Sequence, residues 1–186
     1  LDELARQGVQ FDRVLATGTR TVRGLEALSL GTPPLPGQAI VRRPNNEHLA
    51  TVGEMLEHMG FTASFVYGGY GYFDNMNAFF KANGYAVIDR SDVAALGVTV
   101  HHENIWGIAD EDLYSMAMAT FDRAAADGKP FFAHIMTTSN HRPYTFPDDR
   151  VDLPQKRRES AVKYTDWAIG DFIRRSASKP WFDNTL

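Results

Sequence analysis

The strongest constraint on the fold is the alternation of helical and strand-like segments along the chain. Apolar residues recur at helical spacing from Leu49 to Met59, and residues 61–67 then alternate in strand fashion. Two further strand-like runs, 85–88 and 131–136, are interleaved with helical patterns at about 73–82, 111–125 and 155–175. Such alternation predicts an α/β protein with a mostly parallel sheet. Polar residues that directly follow a strand are therefore candidates for a binding site.

Composition excludes several classes of protein and site. The 186 residues suit one domain or a large part of one. A formal net charge of −4 without a basic block predicts no nucleic-acid partner. The absence of cysteine excludes disulfides, thiolate metal sites and cysteine nucleophiles.

Thr21 is the first candidate for chemistry. A strand-like run at 11–16 leads into hydroxylated residues, and a helical pattern begins at Val22. A hydroxyl at a helix N-terminus lies where free N–H groups and the helix dipole favour an anion. With Arg20 or Arg23 nearby, a phosphate or sulfate ester there would be positioned for attack. The alternative, which the local pattern alone favours, is that Thr21 is only the helix N-cap.

Polar residues crowd the end of the strand-like run 131–136. Among them, His141 could act as a general acid or bind a substrate oxygen, although an ordinary loop role is the alternative. His134 lies inside the apolar run and is interpreted as a core histidine.

A glycine-rich, aromatic segment at 67–77 could line a sugar or glycerol pocket. It lacks the Gly-Lys-Ser/Thr of a phosphate-binding P-loop. The alternative is a glycine-rich turn in which Asp74 caps the following helix.

Three other features suggest structural roles. The adjacent residues 101–103, His-His-Glu, lack metal-ligand spacing and are interpreted as an exposed loop. Trp106 is expected to be a packing anchor, and Asp110 a helix cap.

Four motifs follow one another in a specific order: Thr-Gly-Thr-Arg-Thr-Val-Arg-Gly-Leu-Glu-Ala-Leu (17–28), Tyr-Gly-Gly with Phe-Asp-Asn-Met-Asn (67–77), Trp-Gly with Asp-Glu-Asp-Leu (106–113), and Thr-Ser-Asn-His-Arg-Pro-Tyr (138–144). In combination they resemble the extracytoplasmic catalytic domain of the phosphoglycerol transferases. That group includes lipoteichoic acid synthase and the enzymes that modify periplasmic glucans, and it belongs to the sulfatase branch of the alkaline phosphatase superfamily. The resemblance covers residues 4–186 and implies an alkaline-phosphatase-like three-layer α/β/α fold with a mostly parallel sheet.

The resemblance also implies a two-step reaction. A threonine attacks the phosphorus of a phosphatidylglycerol headgroup, and the glycerophosphoryl group then passes to a glycan or glycerol acceptor. On this basis Thr21 is expected to be the nucleophile and His141 a second catalytic residue. The substrate-binding residues implied are Arg20, Arg23, Tyr67, Asp74, Asn75 and Asn140. Lipoteichoic acid synthases have a His, a Trp and an Arg where this chain offers Tyr67, Asp74 and Met76, which favours the glucan-modifying enzymes.

The same resemblance implies a divalent metal, Mn or Mg, in the complete protein. Thr21 is the one expected ligand found in this chain, so residues 1–186 are expected to be a partial catalytic domain, inactive alone and without bound metal. It would lack the first strand and the C-terminal metal-binding part. The complete protein is expected in the bacterial inner membrane, with its catalytic domain in the periplasm or outside the cell. The partial domain is expected to self-associate through exposed strand edges.

Two other functions stay open at this stage. A sulfatase that hydrolyses sulfuric esters would share the fold, but it normally needs a Cys or Ser converted to formylglycine where this chain has Thr21. A non-catalytic domain that binds glycerophosphate or a glycan is the other alternative.

Overall fold

A computed structural model describes residues 1–186. The helices are α1 (Asp2–Ala5), α2 (Thr21–Leu30), α3 (Val52–His58), α4 (Met76–Lys81), α5 (Val93–Leu96), α6 (Asp110–Ala126) and α7 (Arg158–Ser176). The strands are β1 (Thr62–Tyr67), β2 (Ala86–Ile88), β3 (Glu103–Asn104), β4 (Gly107–Ile108) and β5 (Phe131–Met136). Short 3₁₀ turns occupy Ile40–Arg42, Phe73–Asn75, Arg90–Asp92 and Phe182–Asn184. No helix has the length and apolar character needed to cross a membrane.

The predicted parallel sheet is confirmed, with three strands in the order β2-β1-β5. Strand β1 lies in the middle and pairs in parallel with both neighbours. Its register places Tyr67 opposite Met136, so the carboxyl ends of β1 and β5 lie side by side. Strands β3 and β4 form a separate two-residue antiparallel hairpin. The segments that follow β1 and β5 therefore meet at one edge of the sheet.

Helices cover both faces of the sheet because successive side chains of β1 point in opposite directions. Phe65 packs on one face against α2 and α4, and its ring stacks on Phe80 at a centroid distance of 3.8 Å. Val66 points to the other face and belongs to a cluster with Leu113 and Met116 of α6. Helix α7 packs outside α6. This arrangement is the expected α/β/α layering, and it buries the centre of β1 completely.

The prediction of a strand at 11–16 is wrong. These residues pair with no strand, and the apolar side chains of Phe11, Val14 and Leu15 are exposed. A strand-like run forms a strand only where a neighbour supplies hydrogen bonds and a core accepts one face, and this segment has neither. The helix expected from Leu49 begins at Val52, because the Thr51 hydroxyl caps it by accepting the Glu54 N–H at 3.1 Å.

Strand β5 is an edge of the sheet and remains half-buried along its whole length. An apolar groove of about 850 Å³ runs beside it, lined among others by Phe131, Ile135, Phe172 and Trp181. This is the exposed edge on which the expectation of self-association rests.

Candidate active site at the carboxyl edge of the sheet

A cavity of about 630 Å³ lies at the carboxyl ends of β1 and β5, against the first turn of α2. Its lining includes the expected residues Arg20, Thr21, Tyr67, Asp74 and His141. Segments separated by more than a hundred positions thus come together at one site. The other expected residues, Arg23, Asn75 and Asn140, lie outside the lining.

Thr21 is the first residue of α2, and the N-cap position belongs to Arg20. The helix has no side-chain cap, and the Thr21 hydroxyl makes no hydrogen bond within the chain. The interpretation of Thr21 as a simple N-cap is therefore wrong. The Thr21 side chain is exposed to the cavity beside the unpaired N–H groups of the first helical turn. A hydroxyl in this position is free to act on an anion that the helix terminus attracts.

Arg23 performs a structural task instead of lining the cavity. Its guanidinium donates to the carboxylate of Glu26 at 2.8 Å and to the carbonyl oxygen of Gly37. Glu26 is completely buried and also accepts the backbone N–H of Ile40 at 2.5 Å. A buried carboxylate needs such partners to offset the loss of water. This network fixes the start of α2 relative to the 3₁₀ turn that follows it.

The segment after β1 supplies the opposite wall of the cavity. Tyr67 is buried, and burial, with smaller contributions from the charges of Asp74 and Asp89, raises the pKa of its hydroxyl to about 12. Tyr67 therefore stays protonated at neutral pH, and its hydroxyl donates to the carbonyl oxygen of Trp106 at 3.5 Å. The Asp74 carboxylate pairs with Arg42 at 3.3 Å.

Asp74 is not the helix cap that the sequence suggested. Helix α4 begins two residues later, and Asp74 and Asn75 both have left-handed backbone conformations, with φ of 52° and 63°. The Asn75 amide donates to the carbonyl oxygen of Val41 at 3.0 Å. Asn75 therefore joins the 73–77 turn to the turn that carries Arg42.

The loop after β5 is fixed by Asp110, which is completely buried. Its Oδ1 accepts the backbone N–H groups of Thr138 and Ser139, at 3.2 and 3.0 Å. Its Oδ2 accepts the hydroxyl of Thr165 at 2.9 Å, and Asn140 donates to that same hydroxyl at 2.6 Å. Asp110 is thus a clamp on the loop instead of the helix cap that was expected. Asn140 belongs to this clamp, outside the cavity.

His141 is presented to the cavity at the end of the clamped loop. Its Nδ1 lies 2.9 Å from the carbonyl oxygen of Arg142. Because a carbonyl oxygen only accepts, this contact places a proton on Nδ1 and leaves Nε2 of the neutral ring as an acceptor. The imidazole lies against the indole of Trp106 in a tilted arrangement, and the indole in turn makes an edge contact with Phe73.

Trp106 is held over the cavity by an unusually close backbone approach. A Cβ on Gly69 would lie 2.3 Å from the Trp106 carbonyl oxygen, and Gly107, at φ 142°, meets the Gly68 carbonyl just as closely. Only glycine fits at these positions. The Gly68 carbonyl also accepts the Ile108 N–H at 3.0 Å, which ties the β3–β4 hairpin to the end of β1.

Arg42 and the position of Trp106 in the cavity wall were not predicted from the sequence. Arg42 lies in no recognised motif, and Trp106 was expected only to pack in the interior. The available local signal was a tryptophan next to a glycine and two residues after Asn104. The side-chain oxygen of Asn104 accepts the Trp106 backbone N–H at 2.9 Å.

Two sets of residues contain groups that could bind the divalent metal that the resemblance implies. In the cavity, Thr21 offers a hydroxyl, but the one carboxylate, Asp74, is paired with Arg42. Elsewhere, ligand atoms of His101, Glu111 and Asp112 lie within 4.8 Å of one another.

The second set is also already satisfied. Arg150 binds both carboxylate oxygens of Glu111, at 2.9 and 3.0 Å, and this contact raises the pKa of Arg150. Asp112 accepts the His101 N–H at 2.8 Å and faces the His101 ring at 2.6 Å. A divalent cation needs several free oxygen or nitrogen ligands. The residues of this chain therefore do not fit the implied metal at either place.

Comparison with known proteins supports the same assignment of fold. The family model described as Sulfatase matches residues 1–186. Phosphoglycerol transferase I from Citrobacter koseri is 26% identical over the whole chain, and the protein of that name from Escherichia coli is 25% identical. The chain spans 26% of the length of these curated relatives.

Two solved structures extend the comparison. A protein in the alkaline phosphatase superfamily from Vibrio parahaemolyticus superposes with a TM-score of 0.90 at 36% identity, covering 98% of this chain and 45% of that one. The lipoteichoic acid synthase LtaP from Listeria monocytogenes gives a TM-score of 0.74 at 19% identity, covering 86% of this chain and 40% of its own. The second likeness concerns the fold alone.

Proposed function

This chain belongs to the sulfatase family, and from that premise we propose that it forms part of a phosphoglycerol transferase in which Thr21 is the nucleophile. The observation that carries the proposal is the free Thr21 hydroxyl at the first turn of α2, in the cavity that also presents His141. Relatives named phosphoglycerol transferase I, similar over the whole chain, support glycerophosphoryl transfer over other ester chemistry.

The first step forms a covalent intermediate on the protein. The Thr21 oxygen attacks the phosphorus of phosphatidylglycerol, so that a bond from phosphorus to Thr21 Oγ forms and the bond to diacylglycerol breaks. The hydroxyl proton leaves Thr21, and the diacylglycerol oxygen gains a proton. The products are glycerophosphoryl-Thr21 and free diacylglycerol.

The second step regenerates the threonine. A hydroxyl of the acceptor attacks the same phosphorus, and the bond to Thr21 Oγ breaks. The acceptor hydroxyl loses its proton, and Thr21 Oγ gains one. We propose a glycan or glycerol hydroxyl as the acceptor, and the departure of the segment 67–77 from lipoteichoic acid synthases at Tyr67, Asp74 and Met76 favours the glycan. From the family resemblance we also propose that the complete protein is membrane-anchored and acts in the periplasm or outside the cell.

The side chains of the cavity have complementary tasks in these steps. Arg20 and the first turn of α2 present positive charge to the phosphoryl oxygens. The Nε2 of His141 is free to accept or return a proton. Tyr67, with its raised pKa, donates a hydrogen bond without competing for the proton.

Within the cavity, the pairing of Asp74 with Arg42 leaves a metal ion only the Thr21 hydroxyl and the Nε2 of His141, which are fewer ligands than a divalent cation needs. We propose that the complete protein nevertheless depends on Mn²⁺ or Mg²⁺, as the family resemblance implies. Dialysis of the complete protein against EDTA is expected to stop headgroup release, and either cation is expected to restore it. Full activity after exhaustive dialysis would contradict this dependence.

The test of the nucleophile uses the complete protein that contains this chain. Thr21→Ala is expected to lower the release of diacylglycerol from phosphatidylglycerol by about a thousandfold or more, because no other group replaces the attacking oxygen. Thr21→Ser keeps a hydroxyl and is expected to retain measurable activity. Thr99→Ala, an exposed threonine outside the cavity, is the matched control.

Intact-mass measurement supplies a second readout. The wild type, mixed with phosphatidylglycerol without an acceptor, is expected to gain the mass of one glycerophosphoryl group, and Thr21→Ala is expected to gain none. Unchanged activity of Thr21→Ala would overturn the assignment of the nucleophile. Hydrolysis of an aryl sulfate with no reaction on phosphatidylglycerol would identify a sulfatase instead.

A further inference from the structure

Arg42 and Asp74 form an ion pair in the wall of the candidate cavity, with 3.3 Å between Arg42 Nη1 and Asp74 Oδ1. Their side chains are 48% and 22% exposed, so the pair remains open to a ligand. Asp74 is the only carboxylate in the lining. At this place the cavity therefore presents a charged donor and a charged acceptor side by side, with almost no net charge.

The turn that carries Arg42 is held by buried polar side chains. The carboxylate of Glu26 accepts a backbone N–H of the turn Ile40–Arg42 at 2.5 Å. The amides of Asn46 and Asn75 both donate to the carbonyl oxygen of Val41, at 2.8 and 3.0 Å. These bonds fix the Arg42 backbone next to the 73–77 turn, so that only the side chain of Arg42 has to be ordered when a ligand binds.

We propose that the Arg42–Asp74 pair binds the neutral diol of a glycerol headgroup and discriminates against headgroups that end in an ammonium group. The proposal rests on the function proposed above and names the specificity of that same site. A carboxylate accepts a hydrogen bond from one hydroxyl, and a guanidinium donates to the oxygen of its neighbour. A vicinal diol offers both partners at once.

An ammonium headgroup fits the same pair poorly. It has donors only, so it would leave the Arg42 donors without an acceptor. Its charge would also lie next to the guanidinium, and like charges at such short range repel. The aromatic rings of Phe73 and Trp106 line the cavity nearby and offer apolar contact to the glycerol carbons. The Arg42 guanidinium thus both binds the glycerol headgroup and disfavours an ammonium headgroup.

The experiment compares two lipids on the complete protein in mixed micelles. Initial rates of diacylglycerol release are measured with phosphatidylglycerol and with phosphatidylethanolamine, and the ratio of kcat/KM values is the readout. The wild type is expected to prefer phosphatidylglycerol. Arg42→Gln leaves the Asp74 charge uncompensated and is expected to lower the ratio about tenfold, the effect of one charged hydrogen bond. Asp74→Asn leaves the Arg42 charge and is expected not to lower it.

The neighbouring arginine provides the matched control. Arg43 lies outside the cavity, where its guanidinium donates to the carbonyl oxygens of Gln38 and Pro36. Arg43→Gln makes the same change in net charge and is expected to leave the ratio unchanged. Arg42→Lys retains the charge and is expected to keep most of the preference, which provides a test if Arg42→Gln fails to fold.

Each outcome decides one of the two proposals. If phosphatidylglycerol is consumed but Arg42→Gln and Arg43→Gln have the same ratio as the wild type, the specificity proposal is overturned while the transferase function stands. If Arg42→Lys loses the preference completely, the charge argument is wrong. If the wild type releases no diacylglycerol from phosphatidylglycerol, the proposed function fails and this inference fails with it.

Discussion

The indole ring of Trp106 lies against the imidazole of His141, with their centroids 4.0 Å apart and their planes inclined by 46°. The two residues belong to different segments, since Trp106 lies in the turn of the β3–β4 hairpin and His141 lies in the loop between β5 and α7. Their contact adds to the hydrogen bonds that join these two parts of the cavity wall, among them the one from the Thr138 hydroxyl to the Ile108 carbonyl oxygen at 3.0 Å. It also restricts the directions in which the free Nε2 of His141 can point.

Trp106→Ala is expected to lower kcat/KM for phosphatidylglycerol by about tenfold, because an aromatic contact contributes about 0.5–1.5 kcal/mol to orientation. Trp106→Phe retains a ring and is expected to lose less. Steady-state kinetics on the complete protein measure both. Ile105→Ala is the control, since Ile105 is the adjacent residue and is 86% exposed. Equal losses for Trp106→Ala and Ile105→Ala would show that the hairpin, and not the ring contact, is responsible.

The stability of the fold is expected to fall in mild acid because of His134. Burial between the rings of Phe65 and Phe80 lowers the pKa of His134 from its ordinary 6.5 to about 4. Between these values the unfolded chain binds a proton that the folded chain does not. Stability is therefore complete above about pH 6.5 and is lost as the pH falls towards 4, by about 3 kcal/mol in total.

Urea unfolding at a series of pH values measures this loss. His134→Phe keeps an aromatic ring in the cluster but cannot titrate, so its stability curve is expected to be flatter over that range. His58→Gln, which changes an exposed histidine, is expected to keep the slope of the wild type. A slope that is identical in all three proteins would rule out His134 as its source.

Asp110→Ala is expected to destabilise the protein by about 3 kcal/mol. The substitution leaves the buried N–H groups of Thr138 and Ser139 without an acceptor, and each unpaired buried group costs about 1–3 kcal/mol. Asp110→Asn keeps one acceptor oxygen and is expected to cost less. Chemical denaturation measures both against Asp127→Ala, an exposed aspartate at the end of α6, which should change stability by less than about 0.5 kcal/mol. A similar small effect for Asp110→Ala would contradict the clamp.

Local patterns were enough to predict most of the fold. The apolar run 131–136 and the helical spacing in 111–125 depend on residues only a few positions apart, and both became the expected elements. The segment 11–16 shows the limit of this approach. Its apolar residues suggest a strand, but a strand also needs a partner, and no property of the segment itself reveals whether one is present.

The residues of the candidate site could be predicted only where they belong to a sequence motif. Thr21 and His141 lie in ordered motifs, and the structure brings both to the same cavity. Arg42 could not be found in this way, because its partner Asp74 is distant in sequence and no local pattern around either residue predicts the ion pair. Asp110 was misinterpreted for the same reason. An aspartate at the start of a helix usually caps it, whereas here its acceptors are used by a loop 28 positions away.

The last prediction concerns the free edge of the sheet. Strand β5 leaves one row of backbone groups unpaired beside an apolar groove of about 850 Å³, and such an edge is a template for pairing with another chain. The 186-residue chain by itself is therefore expected to associate as its concentration rises. Sedimentation velocity across a wide concentration range measures this association.

A charge placed in the groove should oppose that association. Ala133→Lys introduces an ammonium group on the edge strand itself, next to the apolar lining, and is expected to shift the chain towards monomer. Ala126→Lys makes the same substitution at an exposed position at the end of α6, outside the groove, and is expected to associate like the wild type. Circular dichroism confirms that both variants fold. A wild-type chain that stays monomeric throughout would contradict the prediction. Equal association of the two variants would show that the chain associates through another surface.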